Sequence, residues 1–188
     1  MRLTVLDRGH SVLTKALFTV IRLMTRQPVV DAVKLALYRT DFYGAGPLTH
    51  EAMRGPSEWS VGERELMAAV VSQANDCPFC IAAHSATSSQ WYGDPAMVAA
   101  VLADLDTAPI GEPLRATLRM LAKPDTPDSA DMRAVLANGV TAQQITDALA
   151  VALVFGITNR LADAFDFEVA GPEAMNAGAR YLLKRGYR

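Results

Sequence analysis

The sequence predicts an all-α protein, a single-domain helical bundle, and three observations carry that prediction. Apolar residues recur at helical spacing along almost the whole chain. Two segments, Ser60-Val61-Gly62-Glu63 and Thr141-Ala142-Gln143-Gln144, have the capping-box spacing of a hydroxyl followed three residues later by an acid or amide. The Val- and Ile-rich runs, such as 151–157, lie inside helical periodicity and lack flanking turn pairs of the hairpin kind. With 51% apolar residues in 188, the chain can build a core without staples.

Residues 11–25 place Val12, Ala16, Thr19, Ile21 and Leu23 in a mixed amphipathic pattern. Pro28 fits the first turn of a second helix, with Gly44, Gly46 and Pro47 ending it. Residues 48–59 read as a loop or short helix. The Ser60 box opens ERELMAAVVSQA, apolar on most sides and therefore buried. Asn75-Asp76 breaks it, and Pro78 starts the next helix with Cys77 at or beside the N-cap. Further helices are expected over 94–105, 111–122 and 129–138, with Pro124 and Pro127 in the loop before the last of these. The Thr141 box opens a long helix to about Phe155, where Gly156 breaks or kinks it. A final helix covers 172–185. The organisation expected is an N-terminal helical arm, 1–47, and a helical domain, 48–188.

The net charge is −2, from 18 basic and 20 acidic residues, and no block of like charge exceeds two. Neither nucleic acid nor an anionic membrane is an expected partner. The most signal-like stretch, 11–24, is interrupted by Lys15 and Arg22 and is followed by no small-residue cleavage site. It is too short and too charged to span a bilayer, so the expected location is cytoplasmic.

Both cysteines and one of three histidines fall in DCPFCIAAHS, residues 76–85. The free N–H groups of a helix beginning at Pro78 would face Cys77 and Cys80 and favour a thiolate. A thiol of pKa ~8.5 is about 3% ionised at pH 7, whereas one of ~6.5 is about three quarters ionised. His84 lies one helical turn beyond Cys80 on the same face and can take its proton. If the helices on either side of Asn75-Asp76 form a hairpin, Glu65 falls within about one turn of His84 along the axis. Glu63, the rival carboxylate, is used by the capping box. Other readings stay open on the residues alone. The pair could be a structural disulfide, or part of a zinc site with a fourth ligand from Glu65, His10 or His50, or two thiols beside an unrelated histidine. No metal and no cofactor is the expectation.

Glu65, twelve residues before Cys77, followed by Cys77-Pro-Phe-Cys80 and His84, resembles the AhpD-like alkylhydroperoxidase and carboxymuconolactone decarboxylase family. The pattern ERELMAAVVSQANDCPFCIAAHS is most similar to its peroxidase-related branch, as is ITNRLADAF, with Asn159-Arg160 and Ala162-Asp163. The resemblance spans roughly residues 55 to 170. It implies an AhpD-like helical fold, a homo-oligomer (dimer, trimer or hexamer), and a hydroperoxide substrate. It also implies that Cys80 attacks the peroxide and becomes a sulfenic acid, that Cys77 resolves it as a disulfide, and that His84 and Glu65 relay the proton. The expected electron donor is a dithiol protein, lipoylated or thioredoxin-like. The family's further histidine immediately before the second cysteine is Phe79 here, a departure that bears on peroxidase efficiency rather than on the thiol–disulfide cycle.

The sequence therefore points to an antioxidant thiol peroxidase acting on organic hydroperoxides, with Phe79, Trp59, Trp91 and Met97 as candidate apolar lining. Two rivals accompany it. One is a protein thiol–disulfide oxidoreductase without peroxidase activity. The other is a non-enzymatic helical oligomer or redox sensor. Asn159 and Arg160 are further candidates, Arg160 either holding an acidic substrate group or pairing with Asp163 or Asp166.

Overall fold

The computed structural model describes residues 4–40, 46–123 and 127–187, and among them the secondary structure is eleven helices with no strand. Gly44 and Pro124, expected in connecting segments, lie outside the described residues. An N-terminal group comprises α1 (Val5–Arg8), α2 (Val12–Thr25) and α3 (Asp31–Tyr38). The segment left open between loop and helix is α4 (Gly46–Arg54). There follow α5 (Val61–Ala74), α6 (Pro78–Tyr92), α7 (Pro95–Ala103), α8 (Glu112–Leu121), α9 (Ser129–Ala137), α10 (Ala142–Ala164) and α11 (Pro172–Arg185).

Helix starts follow local chemistry. Both capping boxes close: Glu63 N–H donates to Ser60 Oγ at 3.2 Å while Ser60 N–H donates to the Glu63 carboxylate at 2.7 Å. Thr141 and Gln144 do the same on α10. Asp94 caps α7 through Met97 N–H at 2.9 Å. Asp76, at φ 51°, turns the chain between α5 and α6 so that the two helices return on each other.

Two expectations are corrected. Pro28 is not in a first turn: Val30 is the N-cap, in extended geometry, and α3 begins at Asp31. The β-branched Val29 and Val30 favour extended backbone, and an aspartate in the first turn suits the positive helix end. Gly156 does not break α10, which runs unbroken through Ala164. A mid-helix glycine costs only about 1 kcal/mol relative to alanine, and the buried Val151, Val154, Phe155, Asn159 and Ala162 hold the helix on both sides of it. The short α1 had no sequence signal assigned to it.

Helix α6 packs mainly between α5 and α11, and α5 in turn packs on α10. The main core, including Leu66, Met67, Val98, Val101, Leu118, Val151 and Phe155, lies among α5, α7, α8 and α10. By length and composition α10 could cross a membrane, but here it packs as a core helix against α4, α5 and α8. A second cluster gathers Cys77, Phe79, Cys80, Ala162 and Met175, with Val30 and Ala32 of the N-terminal group packed onto it. The exposed face of α2 carries Val12, Leu13, Leu23 and Met24.

Replacing Leu66, fully buried, by alanine is expected to cost about 2–5 kcal/mol in urea unfolding. Leu13→Ala on the exposed face of α2 should stay within about 0.5 kcal/mol of the parent.

Candidate active site

The site is assembled by the α5–α6 hairpin. Glu65 is fully buried on α5, and its Oε2 accepts a hydrogen bond from His84 Nδ1 of α6 at 2.7 Å. The carboxylate is acceptor-only when ionised, so Nδ1 carries the proton of this bond. Arg54 of α4 donates to Glu65 Oε1 at 2.6 Å, and the hydroxyl of Tyr187, beyond α11, reaches both carboxylate oxygens at 2.9 and 3.1 Å. Burial alone would push the Glu65 carboxyl up, but the hydrogen bond and charge of His84, with those of Arg54, outweigh it and hold the group below its usual range. Glu65 is therefore a fixed anion and an orienting group.

The thiols lie at the start of α6. Cys77 is the N-cap residue and is 0% exposed, and Cys80 is 1% exposed; both are free. They form one coupled unit. The Cys80 thiol hydrogen-bonds the Cys77 sulfur and, with the nearby Cys80 amide, pulls the Cys77 thiol down against the opposing effects of burial and of Asp163. Although Cys77 makes no strict cap hydrogen bond, this is the better supported anion. The same thiol–thiol bond, then burial, pushes Cys80 strongly up. The two thiols are thus shifted in opposite directions, Cys77 down and Cys80 up, whereas helix position alone favours ionisation of both. Cys80 and His84 share one face of α6, one turn apart, but among the described residues no hydrogen bond joins the ring to either sulfur.

The wall opposite α6 is α10. Phe155 places its ring edge-on to His84, centroids 4.3 Å apart. Asn159, one turn on, is buried, accepts from Ser72 Oγ at 3.2 Å and leaves its Nδ2 without a partner. Asp163, another turn on, faces Cys77. Arg160 points outward and donates to the Gly156 carbonyl at 3.3 Å. Over the thiols, Phe79 meets Phe167 edge-to-face at 5.1 Å, with Val30, Ala32, Ala170 and Met175 completing a cover. Asp31 ties that cover together by accepting from Glu168 N–H at 2.9 Å and from Lys34 at 2.9 Å.

Of the suggested apolar lining, Phe79 belongs to the thiol cluster, whereas Trp59 and Met97 belong to the main core. Trp91 is half exposed and packs over Gly62. The zinc alternative required His10 or His50 nearby if Glu65 was not the fourth ligand. His10 bonds the Leu6 carbonyl between Phe18 and Tyr38, and His50 accepts from Tyr187 N–H. Among the described residues no three acidic, histidine or cysteine side chains form a metal-holding group. Sequence reasoning missed Arg54 and Tyr187, which sit in segments without helical patterning, and missed the thiol-facing role of Asp163, although its segment had been singled out.

A helical bundle that buries a cysteine pair at one helix start, with a carboxylate–imidazole pair behind it, falls in the AhpD-like class of all-α folds. Residues 41–123 match the sequence pattern of the carboxymuconolactone decarboxylase family. Among solved structures, an uncharacterized peroxidase-related protein from Silicibacter sp. TM1040 superposes with a TM-score of 0.73 at 25% identity, over 90% of this chain and 91% of that one. A peroxidase-related AhpD-core protein from Ralstonia eutropha JMP134 gives 0.71 at 23% identity over 90% and 91%. The debrominase Bmp8 shares the fold, with a TM-score of 0.70 at 13% identity over 92% and 94%. No curated protein sequence matches the chain.

Glu65→Gln removes the charge that Arg54 and His84 share and should cost about 3–5 kcal/mol at pH 7. Because the folded carboxyl is held below its unfolded value, its contribution is complete above about pH 4.3 and is lost as pH falls through the folded value. Urea unfolding at pH 7, 5 and 3 should show the gap between parent and variant narrowing only at the lowest pH.

Proposed function

We propose that this protein is a thiol peroxidase that reduces organic hydroperoxides with the Cys77–Cys80 pair. The observation that carries the reading is the placement of a proton acceptor, His84, oriented by a buried carboxylate, one turn from a cysteine at a helix start. The peroxidase-related relatives support it at the level of family.

In the proposed cycle the cover over the thiols moves aside and substrate enters. The Cys80 proton passes to His84 Nε2. The Cys80 thiolate attacks the terminal peroxide oxygen, the O–O bond breaks, and the departing alkoxide takes the proton from His84 to leave as an alcohol. Cys80 is then a sulfenic acid. The Cys77 thiolate attacks that sulfur, hydroxide leaves and is protonated to water, and the disulfide closes. A dithiol protein of the lipoylated or thioredoxin-like kind returns two electrons by exchange through a mixed disulfide. The downward shift of the Cys77 thiol in the reduced pair is in keeping with a resolving role for that sulfur. A reducing cytoplasm would keep the pair ready for the next turn.

The experiment is a cysteine series with cumene hydroperoxide and a sulfenic-acid trap. Cys77→Ser should still consume one equivalent and accumulate trapped sulfenic acid on Cys80, whereas Cys80→Ser should lose at least roughly a hundredfold in rate. Sulfenic acid on Cys77 in Cys80→Ser would reverse the two roles, and undiminished turnover in both variants would remove the thiols from the reaction. Reduction of a model protein disulfide without peroxide consumption would favour a thiol–disulfide oxidoreductase, and inertness in both assays a sensor or assembly role. A brominated pyrrole in the same assay checks the chemistry that the Bmp8 fold hosts elsewhere.

A further inference from the structure

We propose that Tyr187 is a positioning residue of this site, delivered by the segment that follows α11 to fix the Glu65 carboxylate and, through it, the His84 ring. The role assigned to the ring rests on the peroxidase reading above; the geometry of the contact does not.

Glu65 has two oxygens and three donors. Arg54 takes Oε1 at 2.6 Å and His84 Nδ1 takes Oε2 at 2.7 Å. The Tyr187 hydroxyl spans both, at 2.9 and 3.1 Å. The terminal torsion of a glutamate is broad, and a donor that bridges both oxygens narrows it. The hydroxyl also lies 3.5 Å from His84 Nδ1, where a water would otherwise compete for the Nδ1–H···carboxylate bond. Burial and the Glu65 charge push the phenol well above its usual value, so it donates and does not compete as an anion. The result is a ring whose Nδ1 proton is held on the carboxylate and whose Nε2 points away from it, the orientation a proton acceptor for Cys80 requires.

The tail is built to deliver that hydroxyl. Gly186 adopts φ 69°, ψ −151°, a conformation that is essentially glycine-only, and a Cβ there would lie 2.7 Å from His50 Cε1. The next amide, Tyr187 N–H, donates to His50 Nδ1 at 3.3 Å. Arg54 reaches the same tail: it donates to the Leu182 carbonyl at 3.2 Å, and its guanidinium lies 5.1 Å from the centre of the Tyr187 ring. One arginine thus grips both the carboxylate and the segment that brings the hydroxyl to it. A tyrosine serving only as core would bury its ring and place its hydroxyl on any convenient carbonyl. Here the hydroxyl is aimed at a buried anion already bonded to the histidine.

The test compares the full-length reduced parent with Tyr187→Phe, which keeps the ring, and Gly186→Ala, which keeps the hydroxyl but disturbs its delivery. Side-chain nitrogen NMR of His84 should show a single Nδ1–H tautomer in the parent and a mixture of tautomers in both variants. Single-turnover oxidation by cumene hydroperoxide should fall about tenfold in each, the loss lying in kcat rather than KM. A Tyr187→Phe protein with an unchanged His84 signature would overturn the proposal, whether its stability and rate are preserved or reduced. If the parent does not consume peroxide, the peroxidase reading fails by itself, and the NMR comparison still decides the placement of Tyr187.

Discussion

A single buried negative charge organises this molecule. Glu65 has no contact with solvent, and ionising it there is favourable only because donors converge on it from α4, α6 and the segment following α11. Removing such a group from water costs several kcal/mol, which only close, well-directed partners offset. The requirement ties together elements far apart in sequence. The α5–α6 hairpin supplies the anion and the imidazole, Arg54 closes the space on one side, and the last helix must end where its final residues can reach inward. The fold around the site is the set of helices that satisfies this one charge.

The two thiols are governed by a different balance. They are too close to ionise independently, so a proton on one sulfur stabilises the charge on the other. The hydrogen bond from the Cys80 thiol lowers Cys77, and the same bond, followed by burial, raises Cys80. A helix-dipole argument applied to each cysteine separately treats both as candidates for ionisation. It fails because the dominant interaction is between the two cysteines. His84 lies one helical turn from Cys80, the thiol whose ionisation is disfavoured.

Much of this was legible in the sequence because it is written locally. The Ser60, Asp94 and Thr141 caps, Pro78 after Asn75-Asp76, and the Cys80–His84 interval each specify geometry within a turn or two. The pairing of Glu65 with His84 followed from simple axial arithmetic across a hairpin. What was not legible depends on tertiary contacts. Gly156 survives inside a helix because its neighbours are buried on both sides. Val30 rather than Pro28 sets the start of α3, where Asp31 finds the Glu168 amide 137 positions away. Arg54 and Tyr187 carry no motif, and their significance appears only when three segments meet. Glycine before tyrosine at the end of a basic turn, Lys184-Arg185-Gly186-Tyr187, is the one trace that the tail's role left in the sequence.

The cover over the thiols has a consequence for chemical damage. A sulfenic acid left facing solvent is open to a second oxidant molecule, which carries it irreversibly to the sulfinic state. Here Phe79 against Phe167, with Val30, Ala32 and the Asp31–Glu168 tie, leaves the sulfurs almost no surface. A roof that reseals after each encounter would confine the oxidised sulfur with its neighbouring thiolate and no further oxidant. Such an enclosure would trade speed of access for endurance, sparing the centre from the self-inactivation to which open thiol sites are prone.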